Sequence, residues 1–177
     1  AAPKPILCLV CEEVLLKKTD SVLAESIISK LIRYLRWILS HFDPNHRGLH
    51  SWRNQDESIT LEISKPELAT ADLTALLLNE IECFERILLI TETESEMPKD
   101  LLTMQNQLKS NLKNLFWNHD KQDFSNAFIR GEPTSIKGYN SILPMLCNTF
   151  IHNLRTIMLE RLKNGEIKDN SINVSTW

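Results

Sequence analysis

Residues 64–91 read SKPELATADLTALLLNEIECFERILLIT. Ser64 at a cap position, Pro66 in the first turn and Glu67 three residues after the cap form a capping box. Leu73, Leu76, Leu77, Ile81, Phe84, Ile87 and Leu88 then recur at spacings of three and four, the period of an α-helix. Leu78, Leu89 and Ile90 make the segment apolar nearly all round. A helix of that kind is central rather than peripheral, because water would touch apolar surface on any face left open. The pattern predicts a helix from about Pro66 to about Thr91 with other helices packed around it.

Those other helices are legible on both sides. Toward the N-terminus, Thr19 or Asp20 can cap a helix running to Phe42. Its apolar positions are Leu23, Ile27, Leu31, Leu35, Ile38 and Phe42, widened by Ile28, Ile32 and Leu39, and Pro44 and Gly48 stop it. Before it, Ile6 to Lys18 is a short apolar run entered through Pro3 and Pro5. Toward the C-terminus, Pro98 opens a helix to about Trp117 with a narrow stripe of Leu101, Met104, Leu108, Leu112 and Leu115. Gln105, Gln107, Lys109, Asn111 and Lys113 surround that stripe, so one side is wet. Phe124, Phe128 and Ile129 suggest one or two further helical turns. Ser141 and Pro144 start a last helix to about Lys163, with Gly165 as its left-handed cap.

Four helices would exceed about 18 residues, or about 27 Å each. The expected fold is therefore all-α. It is an antiparallel bundle of about five to six helices, four of them long, with one long loop near residues 43–63. Within that loop Ser58 to Ile63 alternates as an extended segment. Residues 1–165 read as a single helical domain and 166–177 as a flexible tail.

Composition removes several classes. The chain has 177 residues, a formal charge of −3, four glycines and seven prolines. It is too apolar to be disordered throughout and too poor in glycine for a phosphate-cradling loop. The charge gives no general drive toward nucleic acid. It has no run of 18 apolar residues, so no membrane span is expected. Ala1–Pro5 reads as a linker entering a helix, which suggests a domain cut from a longer intracellular, cytoplasmic protein. No G-x-S-x-G, H-E-x-x-H or G-x-x-x-x-G-K-[ST] pattern occurs, and the reading is that of a chain without catalysis or cofactor.

Three clusters could carry function. The loop HFDPNHRGLH at residues 41–50 places His41, His46 and His50 beside Asp43. Imidazole nitrogens bind zinc well, so these three are the candidate metal ligands, although the spacing fits no zinc signature. Cys8-x-x-Cys11 has the spacing of a redox or zinc pair, yet Cys8, Cys11, Cys83 and Cys147 all lie in apolar helical stretches, where a reduced cysteine acts as a small hydrophobe. Lys30, Arg33 and Arg36 form a basic stripe suited to an acidic partner. Met104, Phe116 and Trp117 are the expected anchors of a partner helix or a second copy, since large apolar side chains dominate interface energies.

The leading expectation is thus a non-catalytic adaptor or scaffold domain that binds another protein or itself through a helix face. The alternative is a secreted, cytokine-like four-helix bundle with two disulfides, compatible with the Asn173-Val174-Ser175 glycosylation triplet.

Overall fold

The computed structural model describes residues 4–17, 21–54, 68–91, 96–130, 134, 143–147 and 152–165. Five α-helices run through them: α1 (Leu7–Lys17), α2 (Ser21–Phe42), α3 (Ala71–Ile90), α4 (Lys99–Asn111) and α5 (His152–Lys163). Strands β1 (Leu68–Ala69), β2 (Trp117–Asn118), β3 (Asp123–Phe124) and β4 (Ala127–Phe128) are two residues each. They make two antiparallel pairs, β1 with β4 and β2 with β3. The all-α expectation holds.

The apolar run that centred the sequence reading centres the molecule. Every residue of α3 from Ala71 to Phe84 is buried, including Asp72, Thr74, Asn79, Glu80 and Glu82. Helix α1 packs along α3 with Cys8 facing Glu80 and Glu12 facing Arg86, so the two run the same way. Helix α2 runs against them. Its Tyr34 lies beside Glu80, and its last residue, Phe42, meets the ring of Trp52 edge-on, whose indole reaches Asp72 at the start of α3. Helix α4 also opposes α3: Gln105 meets Glu85, and the backbone beyond Phe116 leads to Asn126, which meets Ala71. The first four helices therefore alternate in direction, as in an antiparallel bundle.

Four boundaries differ from expectation. Helix α3 starts at Ala71, not near Pro66, because Leu68 and Ala69 are held extended against Phe128 and Ala127. Its first free amide, Ala71 N–H, is capped by the Asn126 side chain at 3.2 Å, 55 residues away in sequence. The capping box itself and the Ser58–Ile63 segment lie outside the described residues. Second, α4 gives way at Leu112–Phe116 to a π-helical turn, a feature that recurs near functional sites. Third, the helical turns expected around Phe124 and Phe128 are strands. Phe124 pairs with Trp117 across β2 and β3, its ring 5.0 Å away and tilted 64°. Cross-strand aromatic packing outweighs the weak helical spacing there. Fourth, the final helix is not continuous from Ser141. Leu143–Leu146 is a 3₁₀ turn, and Cys147 donates its thiol to the Ala75 carbonyl at 3.1 Å before α5 begins at His152.

Candidate functional site

The alternating helix directions bring the end of α2, the start of α3 and the π-helical turn to one end of the bundle. Three connecting segments meet at that end: 43–54, 68–70 with β1, and 117–128 with β2, β3 and β4. Asp43, the first residue past α2, organises the first of them. Its carboxylate accepts the Arg47 N–H at 2.9 Å and the Gly48 N–H at 2.5 Å. Two positive-φ residues, His46 (52°) and Gly48 (72°), let the chain turn back on itself. The loop is pinned at both edges: Ser51 N–H donates to the Phe42 carbonyl at 3.0 Å, and Asn111 Nδ2 donates to the Gly48 carbonyl at 2.7 Å.

The returning chain drives His50 and Trp52 into the interior. His50 is fully buried, its carbonyl accepting the Thr70 N–H at 3.2 Å. Neither ring nitrogen has a hydrogen-bond partner among the described residues. Burial lowers its pKa to about 4 despite the pull of Asp43 in the other direction, so the ring is neutral at pH 7. Beside it Trp52 aims its indole N–H at both oxygens of Asp72, 3.4 Å each. Burial pushes the Asp72 carboxyl above its ordinary range, against the opposite pull of the Leu73 amide at 2.7 Å. This end thus combines a neutral imidazole, two sealed carboxyls and an indole on a loop held by backbone hydrogen bonds.

A second buried group of titratable side chains lies at the α1–α3 seam. Glu80 accepts the Cys8 N–H at 2.8 Å and the Leu9 N–H at 3.2 Å, the first free amides of α1. Burial raises the Glu80 pKa, and those amides oppose the rise. Arg86 grips Glu12 with Nε and Nη2 at 2.5 and 2.9 Å.

The candidates from the sequence fall in different places. His41, His46 and His50 do not converge. His41 stacks on Trp37 with ring centres 5.4 Å apart, His46 is exposed and His50 is sealed. Among the described residues no group of three or more His, Cys, Asp and Glu is placed to hold a metal ion. Cys8, Cys11, Cys83 and Cys147 are free thiols. Burial, helped by Glu80, pushes the Cys8 and Cys11 thiols up, the reverse of what a redox pair needs. Phe116 is fully buried and Trp117 nearly so, and Met104 is half-buried against the same core. The two aromatics are core residues rather than exposed anchors, because the π-helical turn and β2 fold them inward. Lys30 and Arg33 are exposed, and Arg36 is joined to Asp100 at 2.7 Å. Sequence reading missed Asp72, Glu80 and Asn126. The first two are acidic residues within an apolar helix whose spacing gives them no role, and Asn126 carries no local signal at all.

No family model matches this chain, and no curated protein matches it. Solved structures do. An uncharacterized conserved protein from Thermus thermophilus superposes with a TM-score of 0.73 at 16% identity, over 93% of this chain and 54% of that one. GH63 mannosylglycerate hydrolase from the same organism, in complex with glucose, gives 0.73 at 17% identity, over 94% and 52%. The same hydrolase in complex with Tris and D-glycerate gives 0.70 at 15%, over 90% and 53%. The chain has the helical fold of these proteins and spans about half their length.

This likeness overturns the expected adaptor or scaffold domain and, with it, the cytokine-like alternative. The architecture is one that a glycoside hydrolase carries, and the cysteines are thiols rather than two disulfides. The expectation of a chain without catalysis falls on the same finding. Among the described residues no helix is long and apolar enough to cross a membrane.

Proposed function

We propose that this chain forms part of a glycoside hydrolase and meets a small glycoside at the end where loops 43–54, 68–70 and 117–128 converge. The observation that carries the reading is the fold likeness, which takes in nearly all of this chain and includes a hydrolase holding glucose in one structure and D-glycerate in another. The polar make-up of the loop end supports it. Asp43 and Asp72 are sealed, and their oxygens face Arg47, Gly48, Leu73 and Trp52. They position the loops that line a substrate rather than touch it. The half of the neighbouring fold outside the match is where the other wall of such a site would come from.

The test is binding followed by turnover. Glucose, D-glycerate and mannosylglycerate are titrated to about 10 mM, tenfold above the usual KM ceiling, while amide signals are followed by NMR and released hexose is assayed. Signals from residues 43–54 and 117–128 should move, and those of the α1–α3 seam should not. No movement at the loop end together with no hexose release sinks the reading.

A further inference from the structure

A buried polar atom without a partner costs stability, so each one needs a reason for being there. His50 carries two. Its ring is fully buried, and neither Nδ1 nor Nε2 has a hydrogen-bond partner among the described residues. The closed fold makes no use of them. The residue is held by its backbone, whose carbonyl accepts the Thr70 N–H at 3.2 Å, and the next residue, Ser51, donates its N–H to the Phe42 carbonyl at 3.0 Å. A phenylalanine ring would fill the same space with no polar atom left unpaired. Two idle ring nitrogens stand where the connecting segments meet, and they are free to take a ligand.

The surroundings narrow the chemistry of that ligand. A neutral imidazole offers one N–H donor and one bare nitrogen acceptor, and a hydroxyl group answers both because it donates and accepts. Asp43 lies close enough to act on the ring through its charge, and its carboxylate oxygens are held by the amides of Arg47 and Gly48 rather than by a cation. An anion brought to the ring would be repelled by that charge at low dielectric. A cation would find the same oxygens already engaged. We propose that His50 is the hydroxyl-reading group of a subsite for a neutral sugar, reached when segment 43–54 lifts. The segment can pivot at His46 and Gly48, whose φ values are positive, and its tip is tied to α4 by the Asn111 Nδ2 bond to the Gly48 carbonyl at 2.7 Å. The sugar then pairs the two nitrogens that the closed form leaves idle. The subsite rests on the glycoside reading above, and it adds the group that reads the sugar and the charge of what is read.

Ring NMR of the 177-residue chain tests it. With nitrogen-labelled histidine, glucose is titrated to about 10 mM, and D-glycerate serves as the anionic control. The His50 ring nitrogens should move with glucose and stay still with D-glycerate, while those of the exposed His46 stay still with both. His50→Phe should weaken glucose binding about tenfold or more, because a sugar hydroxyl is left unpaired. The same change should raise the melting temperature of the free chain by about 2–4 °C. His50→Gln keeps a donor and an acceptor and should keep most of the binding. Ring nitrogens unmoved by glucose, the result if they hold an internal water only, would overturn the subsite. So would an equal response to D-glycerate, or glucose binding indifferent to His50→Phe. If glucose moves the amides of segment 43–54 but not the His50 ring, the subsite falls and the glycoside reading stands. If the ring responds but mannosylglycerate releases no hexose, the subsite stands and the hydrolase reading falls.

Discussion

Two regions of this molecule bury a carboxylate against backbone amides, and they do it over different distances along the chain. Asp43 binds the amides of residues four and five positions ahead of it. Glu80 binds the amides of Cys8 and Leu9, more than 70 positions behind it. The first contact shapes one loop. The second fastens one helix to another and satisfies a helix N-terminus with a side chain from the middle of its neighbour. Local carboxylates therefore set the geometry of the loop end, and remote ones set the assembly of the bundle.

The largest expected effect lies at the remote carboxylate. Glu80→Ala leaves the buried Cys8 amide and the part-buried Leu9 amide of α1 without acceptors, at about 1–3 kcal/mol for the first and less for the second, so a loss of about 3 kcal/mol is expected in urea unfolding. Hydrogen exchange should quicken across Leu7–Lys17 and not across residues 43–54. Glu80→Gln keeps one oxygen acceptor and should cost about 1 kcal/mol. The raised pKa of Glu80 means that its contribution is greatest below its unfolded value and shrinks as pH rises through the folded one. The gap between wild type and Glu80→Gln should therefore narrow as pH rises. If Glu80→Ala unfolds no more easily than Glu80→Gln, the contrast between the two regions disappears.

The loop end has its own pH signature, of opposite sign. His50 has a folded pKa of about 4 against 6.5 when unfolded. Its contribution is whole above about pH 6.5 and is lost as pH falls through about 4, worth about 3.5 kcal/mol at one pKa unit per about 1.4 kcal/mol. Asp72 and Glu80, with raised values, work the other way over part of that range. Both remain in His50→Gln, so the difference between wild type and variant isolates the histidine. Urea midpoints from pH 7 to pH 4 should fall more steeply in wild type. Parallel slopes would mean that His50 is not sealed, and the loop end would become a surface loop.

How much of this was legible depended on distance along the chain. The burial of α3 could be read from Leu73, Leu77, Ile81 and Phe84, because helical spacing is a local code. The loop around Asp43 could be read as a cluster, though His50 looked like a ligand when it is a buried neutral ring. Nothing near Glu80 in the sequence announced that it would cap α1. Its neighbours are Asn79 and Ile81, and a charge in an apolar run has no local reason to be there. Asn126 was silent for the same reason, since the amide it caps is brought to it by β1–β4 pairing. The start of α3 failed likewise: pairing of Leu68 and Ala69 with a distant strand overrode the preference of a nearby proline and serine.

A smaller effect separates strain from contact at the loop. Gly48 has φ of 72°, and a Cβ there would stand 1.6 Å from Gln107 Nε2. Gly48→Ala should cost about 1–2 kcal/mol, part from the left-handed backbone and part from the clash. Adding Gln107→Ala should return the steric part only. Full recovery would show that the loop adjusts its backbone freely, which would weaken the view that Asp43 fixes it.

The smallest effect comes from comparing two ion pairs of the same form. Arg86 holds Glu12 through Nε and Nη2, and Arg36 holds Asp100 through the same two nitrogens at 2.7 and 3.0 Å. Their surroundings differ: the side chains of the first pair are 32% and 10% exposed, those of the second 53% each. The Arg36 guanidinium holds the Asp100 carboxyl below its usual range, yet water screens that attraction. Arg36→Ala should leave the melting temperature unchanged within the error of a scan, at low and at high salt. Arg86→Ala leaves Glu12 largely sealed without its partner and should cost about 1–2 kcal/mol, little altered by salt. Equal effects from the two substitutions would mean that geometry, rather than water, decides what such a pair contributes, and the claim that the α1–α3 seam is held by its buried charges would lose its basis.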